Sequence, residues 1–314
     1  STSGQVITGL EFQPDLVWIK GRNHNQNHLL HDSVRGEQYY IKADENAQQS
    51  FNEDFVTQLR SDGIKVGNSG VTNDNGENNL AWCWKAGGIP TTTNSASVGS
   101  VPTAGSVKID GSDATAALAG NRYPNKMSVN TKAGFSIVHY TGTGNSFTLA
   151  HGLNRRPDIV VVKTLDGGAD VDWMIYTKLF DGSNDWLAFN TTSGKGDSGF
   201  NGANATVFDY NGGSQYSNTS GRNYIQYNWT SVPGYSKIGK YASNGSNSDG
   251  FAYAPYVHLG FRPALVIIKS LELSDSNTGW GMYTPSLASN TSSEYYNHYD
   301  KPLWANHSLG EGRR

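Results

Sequence analysis

Three stretches of the chain carry the same pattern of polar and apolar positions. Residues 9–20 read GLEFQPDLVWIK, residues 152–163 read GLNRRPDIVVVK and residues 260–269 read GFRPALVIIK. Each is a Gly, a short turn, a Pro and an apolar run closed by Lys. Proline suits the first residue of a strand, where its missing N–H breaks no ladder bond, and an unbroken apolar run predicts a strand buried on both faces. Residues 15–20, 158–163 and 264–269 are therefore expected as equivalent central strands. Lys20, Lys163 and Lys269 are expected where each strand meets water. Downstream, YYIKAD (39–44), DWLAFN (185–190) and KPLWAN (301–306) predict a further strand ending in Asp or Asn, with turn chemistry after it. NNLAWCWKAGG (78–88) and NYIQYNWTSVPG (223–234) close the first two repeats. Leu80, Trp82, Trp84 and Ile225, Tyr227, Trp229 fall at every second position in them, the period of a half-buried strand.

Spacing supports the alignment, since the closing Trp lies 64 residues after the Lys in the first repeat and 66 in the second. Pro14 to Pro157 is 143 residues and Pro157 to Pro263 only 106, and the excess of 37 falls between about Thr91 and Asn130. That stretch is rich in small residues and lacks Trp, so it reads as a connector with at most a short hairpin. GFSIVHYTGTG (134–144) and SKIGKYASNG (236–245) predict an opening strand and turn that the first repeat lacks. The third repeat lacks a closing strand, because Arg314 falls only 45 residues past Lys269. No segment shows a capped helical period.

The fold expected is all-β, with three tandem related antiparallel β-sandwich-like units. Residues 1–90 form the first unit without its opening strand, 91–132 the connector, 133–234 the second unit and 235–314 the third without its closing strands. An incomplete sandwich exposes unpaired backbone and an open core. The expectation is that the chain is a segment of a longer polypeptide, or that a neighbouring subunit donates the missing strand.

Composition narrows the chemistry. With 24 Lys+Arg against 27 Asp+Glu, and only 16% of the 314 residues charged, the chain is not built as an electrostatic nucleic-acid binder. One Cys excludes an intrachain disulfide framework, and no apolar run approaches the roughly 18 residues needed to insert in a membrane as a helix. The 37 Gly, 17 Tyr and 8 Trp fit a turn-rich, aromatic β chain.

Several local strings resemble chemistry. GDSG (196–199) matches the nucleophile segment of a chymotrypsin-like protease, but Phe200 follows it and loop residues flank it, so Ser198 reads as part of a turn. GKGDSG (194–199) fits a dinucleotide fingerprint by spacing but is followed by NGANATVFDY, with no helix to receive a phosphate. His24, His28 and His31 are expected as polar loop residues without a metal, since a strand would send His28 and His31 to opposite faces. Asp166, Asp170 and Asp172 form a carboxylate-rich loop that is a candidate Ca²⁺ site, although it lacks EF-hand spacing. Trp173 with Tyr176, and Trp280 with Tyr283, fall at equivalent places and are candidates either for stacking on a glycan or for a repeated core position. Asn190, Asn204 and Asn228 sit in glycosylation sequons that an Asn-rich chain produces by chance, and Cys83 between two Trp reads as a small packed residue.

The strings NKMSVNTKAGFSIVHYTGTG, HGLNRRPDIVVVK, VPGYSKIGKYASNG and HLGFRPALVIIK resemble a tandem domain of unknown function common in structural proteins of tailed bacteriophages. PDLVWIK with HDSVRG and LAWCWKAGG resembles its first copy. The resemblance carries no catalytic residues and no cofactor. It implies a non-enzymatic protein on the virion exterior, in first place a tail-fibre or appendage component involved in host attachment. Its implied partners are other virion proteins, further copies of itself in a homotrimer, and a host-surface glycan. A capsid decoration or head-associated protein is the alternative. A polysaccharide depolymerase ranks third, since it needs two carboxylates roughly 5 to 9 Å apart in a groove and the repeats place no such pair at matched positions.

Overall fold

The computed structural model describes residues 4–167, 171–197, 201–244, 255–274, 278–285 and 302–310. The chain is all-β across them. In the first repeat, β1 (Gln5–Thr8), β2 (Leu16–Gly21), β3 (Leu29–Asp32), β4 (Gly36–Lys42), β5 (Ser50–Phe51), β6 (Val56–Arg60), β7 (Gly63–Val66) and β8 (Asn79–Trp84) form two antiparallel sheets, β5-β4-β3-β2-β8 and β1-β7-β6. Alternation along β2 sends Val17 and Ile19 onto Val56, Ile64 and Val66 of the small sheet, which makes a sandwich core. Leu16 and Trp18 face the other way.

The second repeat is built on the same plan and is larger. Its strands are β12 (Phe135–Thr141), β13 (Phe147–Ala150), β14 (Ile159–Thr164), β15 (Met174–Thr177), β16 (Asp185–Ala188), β17 (Gly196–Asp197), β18 (Gly202–Ala203), β19 (Val207–Tyr210) and β20 (Asn223–Trp229). The stretch 91–132 carries more than a short hairpin. Besides the hairpin of β9 (Val107–Ile109) and β10 (Ser112–Asp113) it supplies β11 (Lys126–Asn130), which pairs with β12 on one side and in parallel with β9 on the other. The result is a nine-stranded sheet, β10-β9-β11-β12-β20-β14-β15-β16-β17, faced by β13-β19-β18. Val138, Tyr140, Val160, Val162 and Tyr224 pack on Leu149, Phe208 and Tyr210 of the small sheet. Because β20 lies between β12 and β14, it is buried on both faces rather than half-buried.

The third repeat forms β21 (Val266–Ile268), β22 (Gly281–Tyr283) and β23 (Leu303–Trp304), in that spatial order. Here the expected central, buried strand is corrected. β2 and β14 are flanked on both sides, but β21 pairs only with β22 among the described residues, and Ile267 and Ile268 are 39% and 38% exposed. The opening strand expected in 236–245 is also absent over residues 236–244, which are coil apart from one Val232–Ser236 bridge. The reason lies in the ladder of the second repeat, where the opening strand β12 pairs with the closing strand β20. Among the described residues β21 pairs with β22 alone, and no strand corresponding to β20 stands beside it.

A third core joins the repeats. It gathers Leu16, Trp18, Leu30, Ile41 and Trp82 of the first repeat, Phe135, Val161, Trp173, Ile175, Phe189 and Tyr227 of the second, and Trp280, Met282 and Leu303 of the third. Gly87 shows how tightly the first repeat is joined to the second. Its N–H donates to Ser128 Oγ at 2.9 Å, and a Cβ there would collide with the carbonyl oxygens of Lys108 and Val129. Gly87→Ala is expected to cost about 1–3 kcal/mol through forced backbone shifts. Urea unfolding of the variant checks this, and an unchanged midpoint would contradict the close approach.

Candidate functional site

The shared core is held by side chains that reach across repeats to backbone carbonyls. Trp173 precedes β15 and Trp280 precedes β22. Trp173 Nε1 donates to the Lys42 carbonyl of the first repeat at 2.9 Å, and Trp280 Nε1 donates to the Ala188 carbonyl of the second at 3.1 Å. Lys42 and Ala188 are matched positions, as each is the register partner of the first residue of β3 or β15, and the third such position is Trp304, opposite Gly281. The residue before β3 is His28. Its Nδ1 accepts Trp18 Nε1–H at 2.8 Å, which leaves the proton of the neutral ring on Nε2, and the ring lies against the backbone of Trp304 and His307. The same donor-to-carbonyl contact thus runs from the second repeat to the first and from the third to the second, while His28 packs from the first against the third.

The repeat lysines make a parallel set, and their expected exposure is corrected. Lys20 and Lys163 are fully buried and Lys269 half-buried. Lys163 Nζ donates to the carbonyls of Asn46 at 2.8 Å and Val171 at 2.7 Å, and Lys269 Nζ to those of Thr192 at 3.0 Å and Ser270 at 2.7 Å. Asn46 and Thr192 stand four residues beyond Lys42 and Ala188. Carbonyl oxygens therefore take the place of water around these ammonium groups. Burial pulls Lys20 down to about 8, opposed by Asp44.

The HDSVRG string places a charged pair in the seam. Asp32 and Arg35 form a buried ion pair at 2.6 Å, and Tyr227 Oη from β20 donates to Asp32 Oδ2 at 2.7 Å. The carboxylate is also capped by the Val34 and Arg35 N–H groups, so all its charge is met by donors. Burial, then the Asp32 charge, raises Tyr227, which stays a neutral donor.

β21, which pairs with β22 alone among the described residues, completes the site. In the first two repeats the closing strand pairs antiparallel with the central strand in matched register, Leu16 opposite Trp84 and Ile159 opposite Trp229. The position matching Leu16 and Ile159 in the third repeat is Leu265. Asp15 and Asp158 cap the backbone that leaves the closing strands, accepting the N–H of Ala86 at 2.7 Å and of Ser231 at 2.6 Å. Ala264 stands at that position in the third repeat.

Residues 1–112 and 110–311 match a protein family described as Domain of unknown function (DUF7483). The chain belongs to this family. No curated protein and no solved structure matches it.

Within this DUF7483 chain three of the four sugar-stacking candidates, Trp173, Tyr176 and Trp280, are corrected to core positions. Trp173 is 0% exposed, Tyr176 and Trp280 are buried and Tyr283 is half-buried, so the indoles that mark the repeats present no face to a glycan. Of the calcium candidates, Asp166 accepts the N–H and Nδ2 of Asn223, Asp172 accepts Asn190 Nδ2, and Asp170 lies outside the described residues. Among the described residues no three His, Cys, Asp or Glu side chains converge as metal ligands. Ser198 also lies outside the described residues. His28 and His31 are buried rather than polar loop residues, on opposite faces of β3: His28 meets Trp18, and His31 meets Tyr40 and Phe55 while its Nδ1 contacts the Glu37 carbonyl at 2.7 Å. His24 pairs with Glu77 at 2.6 Å. Asn228 is fully buried and donates to Ser136 Oγ, so its sequon is closed to modification in the folded chain. Cys83 packs against the first sandwich core, and burial lifts its thiol to about 12.

Two predictions come from the seam. Trp173→Phe keeps most of the ring but leaves the Lys42 carbonyl without its donor, at an expected cost of about 1–3 kcal/mol. Trp173→Ala, which also opens a cavity, is expected to cost about 3–5 kcal/mol, and urea titration of both variants measures the difference. The second concerns pH. Burial depresses His28 to about 3, and His31 and His151 to about 4, from an ordinary value of 6.5. Between those values the unfolded chain holds more protons than the folded one, so stability is full above pH 6.5 and falls on acidification toward pH 4. Unfolding midpoints at neutral pH and near the acid end of that window test the sign, and equal midpoints would contradict it.

Proposed function

We propose that this DUF7483 chain is a structural, non-enzymatic protein of the exterior of a bacteriophage virion, a tail-fibre or appendage component that takes part in host attachment. The observation that carries this reading is the use made of the chain's most chemically capable side chains. The repeated Trp and Lys residues and the Asp32–Arg35 pair are consumed in binding one sheet to the next. Such a build favours rigidity. The sequence resemblance to phage structural proteins supplies the setting. Other virion proteins and further copies of the chain, as a trimer, are the partners this reading calls for.

A host glycan would find its aromatic surface elsewhere than at the buried indoles. Tyr39 and Phe51, 40% and 55% exposed, stand edge to face at 5.3 Å on β4 and β5 beside Gln38 and Asn52. Aromatic faces flanked by amides suit sugar rings.

Labelling the chain in intact particles tests the assignment. Label on tail appendages is the expected result, label in register with the capsid lattice favours the head-decoration alternative, and absence from purified particles removes both. If Tyr39 and Phe51 hold a glycan, Phe51→Ala abolishes retention on host-surface polysaccharide without changing the unfolding midpoint.

A further inference from the structure

Four Asn–Gly pairs stand in the sequence, at 75–76, 201–202, 211–212 and 244–245, the Gly of the last lying outside the described residues. A glycine after asparagine leaves the next peptide nitrogen unhindered, and its backbone turns more freely than that of any other residue. That nitrogen attacks the asparagine side-chain amide only where the peptide between the two residues is free to rotate. The fold treats the three described pairs differently. The Asn211–Gly212 peptide is pinned at both ends, its carbonyl accepting Asn218 Nδ2 at 2.8 Å and its N–H donating to Ser146 Oγ at 3.1 Å. Asn201 Nδ2 donates to Asp209 Oδ2 at 3.1 Å, while Gly202 is buried, paired with Asp209 in the β18–β19 ladder and hemmed in by Asn184 and Lys178. Asn75 and Gly76 are both exposed. They are the central residues of a turn closed from the Glu77 N–H to the Asp74 carbonyl, Gly76 has φ 82°, and nothing stands near the place of its missing Cβ. Neither the peptide that joins them nor the Asn75 side-chain amide makes a hydrogen bond among the described residues, the Asn75 N–H to Asp74 Oδ1 being the bond that Asn75 makes.

We propose that Asn75 is a site of spontaneous covalent modification, converting to aspartate and isoaspartate with water as the only co-reactant. The Gly76 nitrogen attacks Asn75 Cγ and a C–N bond forms, while the side-chain nitrogen leaves as ammonia and takes the proton lost from Gly76. Water then opens the five-membered imide at one of its two carbonyls. Opening at the side-chain carbonyl gives aspartate. Opening at the main-chain carbonyl gives isoaspartate, whose backbone runs through the former side chain and is one methylene longer. The turn is docked on the loop after β2 by Asn78 N–H to Asn23 Oδ1 at 2.9 Å, Arg22 N–H to the Asn78 carbonyl at 2.8 Å and the His24–Glu77 pair. An added methylene lengthens a turn whose far end is fixed in this way, so isoaspartate at this position loosens the docking. The inference stands on the geometry of this turn and not on the virion assignment.

The test holds the whole chain in mildly alkaline buffer, folded in one arm and unfolded by guanidinium chloride at the same pH in the other. Proteolysis and mass spectrometry follow the peptides that contain Asn75, Asn201 and Asn211 over time. In the folded chain Asn75 should convert at close to its unfolded rate. Folding should slow Asn201 and Asn211 at least about fivefold, the ratio that one hydrogen bond of roughly 1 kcal/mol sets. Chains that carry isoaspartate at 75 should also show faster hydrogen exchange at the Arg22 and Asn78 amides. Folding that slows Asn75 as much as it slows the other two overturns the site, and unchanged exchange at Arg22 and Asn78 overturns its effect on the docking.

Discussion

A sheet whose strands are apolar on both faces has to be covered twice, and this requirement organises the chain. β2 and β14 each send one set of side chains onto a small three-stranded sheet of their own repeat and the other set toward the remaining repeats. Val17 and Ile19 are satisfied locally, but Leu16 and Trp18 are buried only because Phe189 and its neighbours arrive from the second repeat. No repeat is therefore a closed sandwich with a solvated outer face. Each uses the others as its second cover, and the largest apolar core lies between repeats rather than within one.

That arrangement creates a polar problem, because strand ends and turns are drawn into the seam with their carbonyls. At Trp173, Trp280, Lys163 and Lys269 the solution is the same: a ring N–H or an ammonium from the next repeat takes the exposed carbonyl. An indole suits this because it brings a large apolar body and a single donor. A buried lysine suits it less well, since its charge loses water, and burial lowers Lys20 even with Asp44 nearby. The first repeat places a histidine where the other two place tryptophan. There Trp18 donates to His28 Nδ1, so the ring acts as acceptor toward its own repeat and faces another with its remaining nitrogen.

The strands were legible in the sequence because their signals are local: proline before an apolar run, alternation in the closing segments, turn residues after each. The sites were less so. Lys20, Lys163 and Lys269 stand at strand ends, where a lone sequence points to solvent, and their burial depends on carbonyls that only the fold brings to them, from the neighbouring repeat for Lys163 and Lys269 and from Gly21 and His24 for Lys20. His28 sits in a run of Asn and His that reads as loop, yet its offset from Lys20 is close to that of Trp173 from Lys163, a cue that alignment of the repeats contains. β11 was hidden in a stretch of small residues whose burial comes from β9 and β12 on either side. The coil over residues 236–244 was not legible in a sequence that resembles β12, because whether such a segment forms a strand depends on the sheet order, in which β12 needs β20 beside it.

The contacts that join the first repeat to the third span nearly the whole chain. Gly310 N–H donates to Asn25 Oδ1 across 285 residues, and the His28 ring packs against the backbone around Trp304. During synthesis the N-terminal sheet emerges long before these partners, so one of its apolar faces must wait uncovered while the rest of the chain is made. Closure of so long a loop is slow relative to local pairing, and an exposed aromatic face is prone to wrong association in the interval. Leu16 and Trp18 are the side chains left open in that interval, since Phe189 arrives only with the second repeat.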